Sequence, residues 1–271
     1  MTVTVSVADL AAGIAGVRVL DVRWRLGVPD GRPAHAEGHV PGAVYVDLES
    51  ELAAHPGPGD GRHPLPNRAA LQEAVRRWGI DDGDPVVVYD DSGNAAAARA
   101  WWLLRDAGLS DVRLLDGGLA AWGAAGHPLE TGTVTPEPGT ATLRESTLPT
   151  TDTDGAAAWP DRGVLLDVRA AERYRGEVEP IDPRAGHIPG AINAPTTENL
   201  APDGTFLPAD ALKRRFADLG VEPGVDVAVY CGSGVTATHT IAALQIAGFS
   251  ATLYPGSWSQ WSTDATRPVA T

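Results

Sequence analysis

Residues 227–236 read VAVYCGSGVT, in which an apolar run enters a glycine-rich turn, and a run of small and apolar residues follows at 236–247. Short apolar runs bounded by turn residues are typical of strands that are buried on both faces. A strand that leads through a turn into a helix is the repeating unit of a parallel sheet. The stretch therefore predicts an α/β fold, with Cys231 at the carboxyl end of a buried strand.

The same pattern occurs a second time, in the first half of the chain. VVVYDDSG at 86–93 matches VAVYCGSG at 227–234, and three further pairs of segments keep the same order. These are VLDVR at 19–23 with LLDVR at 165–169, GHVPGAV at 38–44 with GHIPGAI at 186–192, and DAGLSDVRLLDGGLAAW at 106–122 with IAGFSATLYPGSWSQW at 246–261. Four pairs in one order indicate an internal duplication rather than shared composition.

The duplication predicts two tandem domains, 1–128 and 156–271, each a parallel sheet flanked by helices on both faces. Residues 129–155 are rich in Pro, Thr and Gly and lack sustained periodicity, so we assign them to a linker. Apolar residues recur at helical spacing in 67–80 and in 209–221, which predicts a corresponding helix in each copy.

The composition excludes several classes of protein. Among 271 residues, 35 are Asp or Glu and 21 are Lys or Arg, for a formal net charge of −14. Such a surface repels phosphate backbones and anionic lipid, so we expect no nucleic-acid and no membrane partner. The N-terminal residues do not read as a signal peptide, and no apolar run approaches the ~20 residues that span a bilayer. The expected localisation is the cytoplasm.

Cys231 is the single cysteine, which rules out an intrachain disulfide, zinc sites built on cysteine pairs and CxxC redox motifs. We expect neither a metal nor an organic cofactor. Because Gly232 and Gly234 let successive N–H groups point inward, the loop 231–236 can form an anion-binding nest, and the helix behind it adds its positive dipole end. Both effects favour thiolate over thiol and would stabilise a persulfide. A lone cysteine is more often a buried apolar residue, but this setting favours a nucleophile.

Comparison with the first copy and with the motifs of three other enzyme classes narrows the reactions that Cys231 could catalyse. Asp90 stands at or near the matching position of the first copy, and since a carboxylate cannot carry sulfur, that copy is expected to be non-catalytic. A C-x5-R phosphatase needs arginine where Ala237 stands, and a G-x-S-x-G hydrolase needs glycine where Cys231 stands. A cysteine protease would have its catalytic cysteine near the N-terminus and in a different fold. Nucleophilic sulfur chemistry remains.

These residues resemble the two-domain form of the rhodanese family of sulfurtransferases over nearly the whole chain. The resemblance rests on LDVR in both halves, GHVPGA and GHIPGA, ERYRGEVEP at 172–180, CGSGVTA at 231–237 and GSWSQW at 256–261. It implies that Cys231 takes sulfur from a donor as a persulfide and passes it to a thiol or to cyanide. Loops like CGSGVT resemble those of family members that use 3-mercaptopyruvate and release pyruvate. Loops like CRKGVT, which carry cations, resemble those that use thiosulfate.

The resemblance also suggests roles for individual residues. The active-site loop would consist of Cys231, Gly232, Ser233, Gly234, Val235 and Thr236. Ser233 would hydrogen-bond the donor or assist proton movement. In the family, arginines that bind the donor lie on the segment that corresponds to residues 172–187, where Arg173 matches the family pattern best and Arg184 matches it less closely. His39 is a candidate proton relay, although a structural role in its turn is favoured. Pro255 and Gln260 replace acidic residues that are frequent in the family, which leaves open how the loop is supported.

The first expectation is therefore a sulfurtransferase that uses 3-mercaptopyruvate and passes sulfur to a thiol acceptor such as a thioredoxin-like protein. The alternative is a thiosulfate:cyanide sulfurtransferase. A third and more remote alternative is a non-enzymatic persulfide carrier or regulatory module that has kept the fold.

Overall fold

The computed structural model describes residues 2–28 and 30–271, and the chain forms two compact units. Unit 1 is made of Met1–Ala54, Leu65–Leu148 and Ala201–Phe206. Unit 2 is made of His55–Pro64, Pro149–Leu200 and Leu207–Thr271.

Unit 1 is built on a sheet of parallel strands. They are β1 (Thr4–Val5), β2 (Arg18–Asp21), β3 (Val44–Tyr45), β4 (Val86–Tyr89) and β5 (Val112–Leu115), in the spatial order β1-β5-β4-β2-β3. Leu20 of β2 pairs with Val88 of β4. Every residue of β4 is buried, because helices cover both faces of a central parallel strand.

The helices of unit 1 follow the predicted pattern. They are α1 (Val7–Gly13), α2 (Arg32–Glu37), α3 (Leu48–Glu51), α4 (Arg68–Arg77), α5 (Ala97–Asp106) and α6 (Gly118–Ala124), with a 3-10 turn at Ile14–Gly16. Helix α4 begins after Asn67, whose side chain accepts the N–H of Ala70. It ends before the predicted boundary, since Gly79 adopts a positive φ of 75°.

Unit 2 repeats this topology. Its strands are β6 (Gly163–Asp167), β7 (Ile192–Asn193), β8 (Asp226–Tyr230) and β9 (Thr252–Leu253), and all neighbours pair in parallel. The order β7-β6-β8-β9 reproduces β3-β2-β4-β5 of unit 1. In the place of β1, unit 2 has a single parallel bridge between Thr150 and Leu253.

Helices also flank the sheet of unit 2. They are α7 (Thr153–Ala158), α8 (Ala171–Tyr174), α9 (Ala209–Asp218), α10 (Thr236–Ile246) and α11 (Ser257–Thr263), with 3-10 turns at Trp159–Asp161 and Thr196–Asn199. The prediction of two α/β units, each with a parallel sheet flanked by helices, is confirmed. In the described ranges 2–28 and 30–271, no helix has the length and apolar character needed to cross a membrane.

The repeated DVR motif has the same structural role in both units. Arg23 pairs with Asp21 at 2.6 Å and donates to the carbonyl of Gly38 at 2.8 Å. Arg169 pairs with Asp167 at 2.5 Å and donates to the carbonyl of Gly186 at 2.6 Å. Each buried pair thus ties the turn before the HxPGA motif to the end of its strand.

The segment predicted to be a linker is attached to the units. Residues 129–148 belong to the part of unit 1 that ends at Leu148, and residues 149–155 belong to the part of unit 2 that starts at Pro149. Ala141 is 1% exposed, and its N–H donates to the carbonyl of Ile80 at 3.1 Å. Extended chain with few apolar residues can still be fixed by backbone hydrogen bonds, which composition does not reveal.

Candidate active site

Cys231 is the first residue after β8 and begins the turn that leads into α10, as the sequence predicts. The side chain is 2% exposed, and its Sγ accepts the N–H of Gly234 at 3.1 Å. Ser233 and Val235 are also buried, and Thr236 is the first residue of α10. The sulfur therefore lies inside the curl of the loop, with a backbone donor directed at it.

The two glycines of the loop serve different needs. Gly234 has a positive φ of 79°, and a side chain there would collide with the carbonyl of Pro255. Gly232 provides space: a Cβ atom there would lie 3.1 Å from Nη2 of Arg62 and 3.6 Å from Nη1 of Arg173. Two guanidinium groups thus face the same point beside the cysteine.

The first residues of α11 support the loop 231–236 through main-chain hydrogen bonds. The N–H of Trp258 donates to the carbonyl of Cys231 at 3.0 Å, and that of Ser259 donates to the carbonyl of Gly232 at 2.8 Å. Gln260 is occupied elsewhere, since it donates to the carbonyl of Gly59 and accepts from Tyr254. The main chain of α11 therefore supports the loop.

Ser233 is paired with a histidine that the sequence analysis did not consider. Its Oγ lies 2.7 Å from Nδ1 of His63, and both side chains are buried. His63 belongs to the segment His55–Pro64, which is part of unit 2. This segment is fixed to α11, since the N–H of Arg62 donates to Oγ of Ser259 at 3.0 Å. A buried serine–histidine pair can move a proton.

Carboxylates alternate with arginines beside the loop. Arg173 donates to Glu179 at 2.7 Å and to Asp182 at 3.3 Å, and Arg62 also pairs with Asp182. Glu179 contacts Arg169 as well, at 3.3 Å. Burial raises the pKa of Asp182, although the charge of Arg62 opposes the rise.

Arg62 is the second cation of this cluster, and the sequence analysis did not identify it. Its side chain is 30% exposed and that of Arg173 is 18% exposed, so solvent reaches both. Among the residues that the structure describes, the buried Nε of Arg62 has no hydrogen-bond partner. An incoming anion could take up such donor capacity.

The structure places Arg184 differently from Arg173. Its guanidinium donates to the main-chain carbonyls of four residues at the end of α11 and beyond, namely Trp261, Ser262, Asp264 and Arg267. A guanidinium committed to four carbonyls fixes a chain segment. Donor binding by Arg184 stays a prediction, and this geometry favours a structural role.

His39 lies in unit 1 and is fully buried. Its Nδ1 is 2.8 Å from the carbonyl of His35, and the two rings stack with centroids 3.9 Å apart. These contacts are those of a residue that fixes its turn. The relay role of His39 stays a prediction, while the histidine that contacts Ser233 is His63.

Asp90 shows what the matching loop of unit 1 does without a cysteine. Its fully buried carboxylate accepts four backbone N–H groups at 2.7–3.0 Å, from Ser92, Asn94, Ala96 and Ala97. Burial raises the pKa of Asp90, and these hydrogen bonds oppose the rise. The nest of unit 1 is thus filled by its own carboxyl group.

Together these features define a class of protein: an α/β protein with a buried cysteine in the turn after a central strand and guanidinium groups beside it. A model described as "Rhodanese-like domain" matches residues 6–125 and 153–264. The chain therefore belongs to the rhodanese family, in its two-domain form, and is a sulfurtransferase.

Individual relatives agree with this assignment. The chain is 53% identical over 278 residues to a Mycobacterium tuberculosis protein named "Putative thiosulfate sulfurtransferase SseB", with 98% of this chain and 96% of that protein covered. It is 50% identical over 260 residues to a Pseudomonas aeruginosa protein named "Probable 3-mercaptopyruvate sulfurtransferase", with 93% and 92% covered. The crystal structure of the 3-mercaptopyruvate sulfotransferase SseA from Escherichia coli superposes with a TM-score of 0.82 at 32% identity, with 96% of this chain and all of that one covered.

Proposed function

We propose that the protein transfers sulfur from 3-mercaptopyruvate to a thiol through a persulfide on Cys231. The Cys231 thiolate attacks the sulfur of the donor, so that a sulfur–sulfur bond forms and the carbon–sulfur bond breaks. The electron pair of the broken bond leaves on carbon as the enolate of pyruvate, which takes up one proton. An acceptor thiolate then attacks the outer sulfur, leaves as a persulfide and restores the Cys231 thiolate.

The observation that carries this proposal is the convergence of two guanidinium groups beside the nucleophile. Arg62 and Arg173 both lie within 4 Å of the vacant Cβ position of Gly232, the residue next to Cys231. A guanidinium offers paired donors in a plane, which suits a carboxylate. A short α-keto acid held there would have its sulfur close to the loop.

We assign Ser233 and His63 to the protonation of the pyruvate enolate. The departing enolate carries charge on its oxygen, and a hydroxyl donor can stabilise that charge as it develops. His63, hydrogen-bonded to Ser233 at 2.7 Å, is suited to supply the proton that the enolate takes up. These roles require no metal or organic cofactor.

The charges beside the loop support 3-mercaptopyruvate over thiosulfate. The charges of Arg62 and Arg173 are balanced by Asp182 and Glu179, each carboxylate being 3% exposed. A site with little net charge suits a donor with one carboxylate better than a dianion. Gly232 and Ser233 add hydrogen-bonding capacity but no charge.

The acceptor is proposed to be a thiol, such as that of a thioredoxin-like protein. Because Cys231 is the single cysteine, no second thiol of this chain can resolve the persulfide. The reaction therefore needs a supply of reduced thiols, which favours the cytoplasm.

Two donors and one variant test the proposal. Purified protein is mixed with 3-mercaptopyruvate and a thiol, and pyruvate release is followed together with the mass of the intact chain. We expect pyruvate release and a mass increase of one sulfur atom when the acceptor is omitted, and neither with Cys231→Ser. Absence of both from the wild-type protein would reject the proposal.

Thiosulfate is the second candidate donor, because the 53% identical mycobacterial relative is named for it. The comparison is kcat/KM for thiosulfate with cyanide against kcat/KM for 3-mercaptopyruvate. A larger value with thiosulfate would overturn the choice of donor but keep the role of Cys231. Persulfide formation with neither donor would favour a carrier that other enzymes load.

A further inference from the structure

Ser257, the first residue of α11, has an unusual backbone conformation. Its φ is 53°, in the left-handed region that residues other than glycine rarely adopt, and the residue is fully buried. A strained conformation persists only where its surroundings enforce it, and such residues cluster at functional sites.

The hydroxyl of Ser257 bridges two backbone groups at the site. Its Oγ accepts the N–H of Cys231 at 3.1 Å and donates to the carbonyl of Tyr254 at 2.9 Å. The adjacent N–H of Trp258 donates to the carbonyl of Cys231 at 3.0 Å. Both backbone polar groups of Cys231 are therefore held by two successive residues of α11.

The internal repeat provides a matched comparison. DGGLAAW at 116–122 corresponds to PGSWSQW at 255–261, which aligns Gly118 with Ser257. Gly118 has a nearly equal φ of 58°, and the N–H of Leu119 donates to the carbonyl of Asp90 at 2.9 Å, just as Trp258 does to Cys231. The backbone of the turn is thus the same in both units.

The two copies differ in the side chain at this turn. Glycine, which adopts positive φ without strain, stands beside Asp90, where an added Cβ would lie 2.5 Å from the Asp90 carbonyl oxygen. Serine, which is strained there, stands beside Cys231. The unit that contains Cys231 therefore has the more strained residue at this turn, and the hydroxyl of Ser257 accepts the backbone N–H of Cys231.

We propose that Ser257 is a positioning residue for Cys231. By accepting the Cys231 N–H, the hydroxyl fixes the peptide that precedes the nucleophile and thus the direction of its Cα–Cβ bond. That direction keeps Sγ at 3.1 Å from the N–H of Gly234. The left-handed conformation places the hydroxyl beneath the Cys231 amide, and without it that buried N–H would lose its partner. The proposal rests on the proposed function only in taking Cys231 as the nucleophile.

The test compares Ser257→Ala and Ser257→Gly with Ser262→Ala, a buried serine on the same helix. Alkylation by iodoacetamide at pH 7 reports on Cys231 alone, because the chain has no other cysteine. We expect both Ser257 variants to alkylate about three- to tenfold more slowly, the factor that one ordinary hydrogen bond contributes. With 3-mercaptopyruvate, kcat should fall by a similar factor and KM should stay unchanged, since the arginines are untouched. Ser262→Ala should match the wild type in both measurements.

Thermal unfolding separates positioning from mere stability. Ser257→Gly removes the backbone strain, so its Tm should be no lower than that of Ser257→Ala while its alkylation is equally slow. Wild-type alkylation rates in both Ser257 variants would overturn the proposal. So would a loss of rate that Ser262→Ala shows to the same extent. If the wild type alkylates normally but releases no pyruvate, the proposed function fails and the alkylation comparison still decides the role of Ser257.

Discussion

The Nδ1 atom of His63 lies 2.7 Å from Oγ of Ser233, although 170 positions separate the two residues in the sequence. Both side chains are buried, so the hydrogen bond is shielded from water. It gives Ser233 of the cysteine loop a histidine partner that no feature of the loop sequence indicates.

Replacing either member of this pair should reduce turnover. We expect His63→Gln and Ser233→Ala to lower kcat for pyruvate release about 100-fold, the scale of one general acid–base contribution. Persulfide formation should still be detectable by mass after long incubation, because Cys231 is intact. The measurement is steady-state kinetics with 3-mercaptopyruvate.

His39→Gln is the comparison for that experiment, since His39 was the candidate relay in the sequence, although a structural role was favoured for it. Its loss should lower Tm, because its ring stacks on His35 in the buried interior of unit 1. We expect kcat to change by less than about threefold. A 100-fold fall in kcat for His39→Gln, with His63→Gln active, would assign the relay to His39.

Asp182 should oppose donor binding, because it occupies both Arg62 and Arg173. Asp182→Asn removes a negative charge that faces both guanidinium groups, so KM for 3-mercaptopyruvate should fall, whereas Arg62→Gln and Arg173→Gln should each raise it about tenfold, the scale of one charge-assisted hydrogen bond. Arg175→Gln is the matched control, since Arg175 is 52% exposed and pairs with Glu177. An unchanged KM in Arg62→Gln would remove this residue from the donor site.

Asp90 should be important for the stability of unit 1. Asp90→Ala leaves four N–H groups, three of them on buried residues, without their acceptor, so we expect a loss of about 2–4 kcal/mol in the free energy of unfolding. Asp90→Asn keeps one oxygen acceptor and should lose less. Urea unfolding of the two variants checks the order, and equal losses would contradict the role of the nest.

The lowered pKa of Asp21 predicts that the protein loses stability in acid. Burial alone would raise the pKa of Asp21, but hydrogen bonds from His35 and Arg23 outweigh burial and hold that pKa below its ordinary value. The folded state therefore binds the proton less tightly than the unfolded chain. The stabilisation is present above the ordinary pKa of about 4 and is lost as the pH falls through the folded value.

The measurement for Asp21 is urea unfolding at several pH values between 3 and 7. Asp21→Asn should be less stable at neutral pH and should show a shallower decline of unfolding free energy below about pH 4 than the wild type. Parallel curves for the two proteins would show that Asp21 does not contribute to acid sensitivity.

Arg184 should act on stability rather than on donor binding. Because its guanidinium holds four carbonyls near the end of α11, Arg184→Gln should lower the free energy of unfolding by about 2–3 kcal/mol. KM for 3-mercaptopyruvate should stay unchanged. A tenfold rise in KM at unchanged Tm would restore the donor-binding role that the family resemblance suggested.

The fold was predictable because its signals are local and occur twice. Buried runs such as VVVY and VAVY, the turns that follow them and the repeated DVR and HxPGA motifs predict two parallel sheets, and the strands lie where these patterns place them. The position of Cys231 in the turn after β8 was predictable for the same reason, since that turn directly follows its strand in the sequence. The attachment of residues 129–148 to unit 1 was missed, because backbone hydrogen bonds leave no mark on composition.

The sequence by itself determined the α/β fold, its duplication and the position of Cys231 in the turn after β8, because each depends on residues that are close in the chain. Only the tertiary structure decided which histidine and which second arginine stand beside the cysteine loop. His63 and Arg62 lie in a Gly- and Pro-rich segment without periodicity, and their position depends on long-range hydrogen bonds to α11. Such contacts join residues that are far apart in the sequence, so no local sequence pattern predicts them.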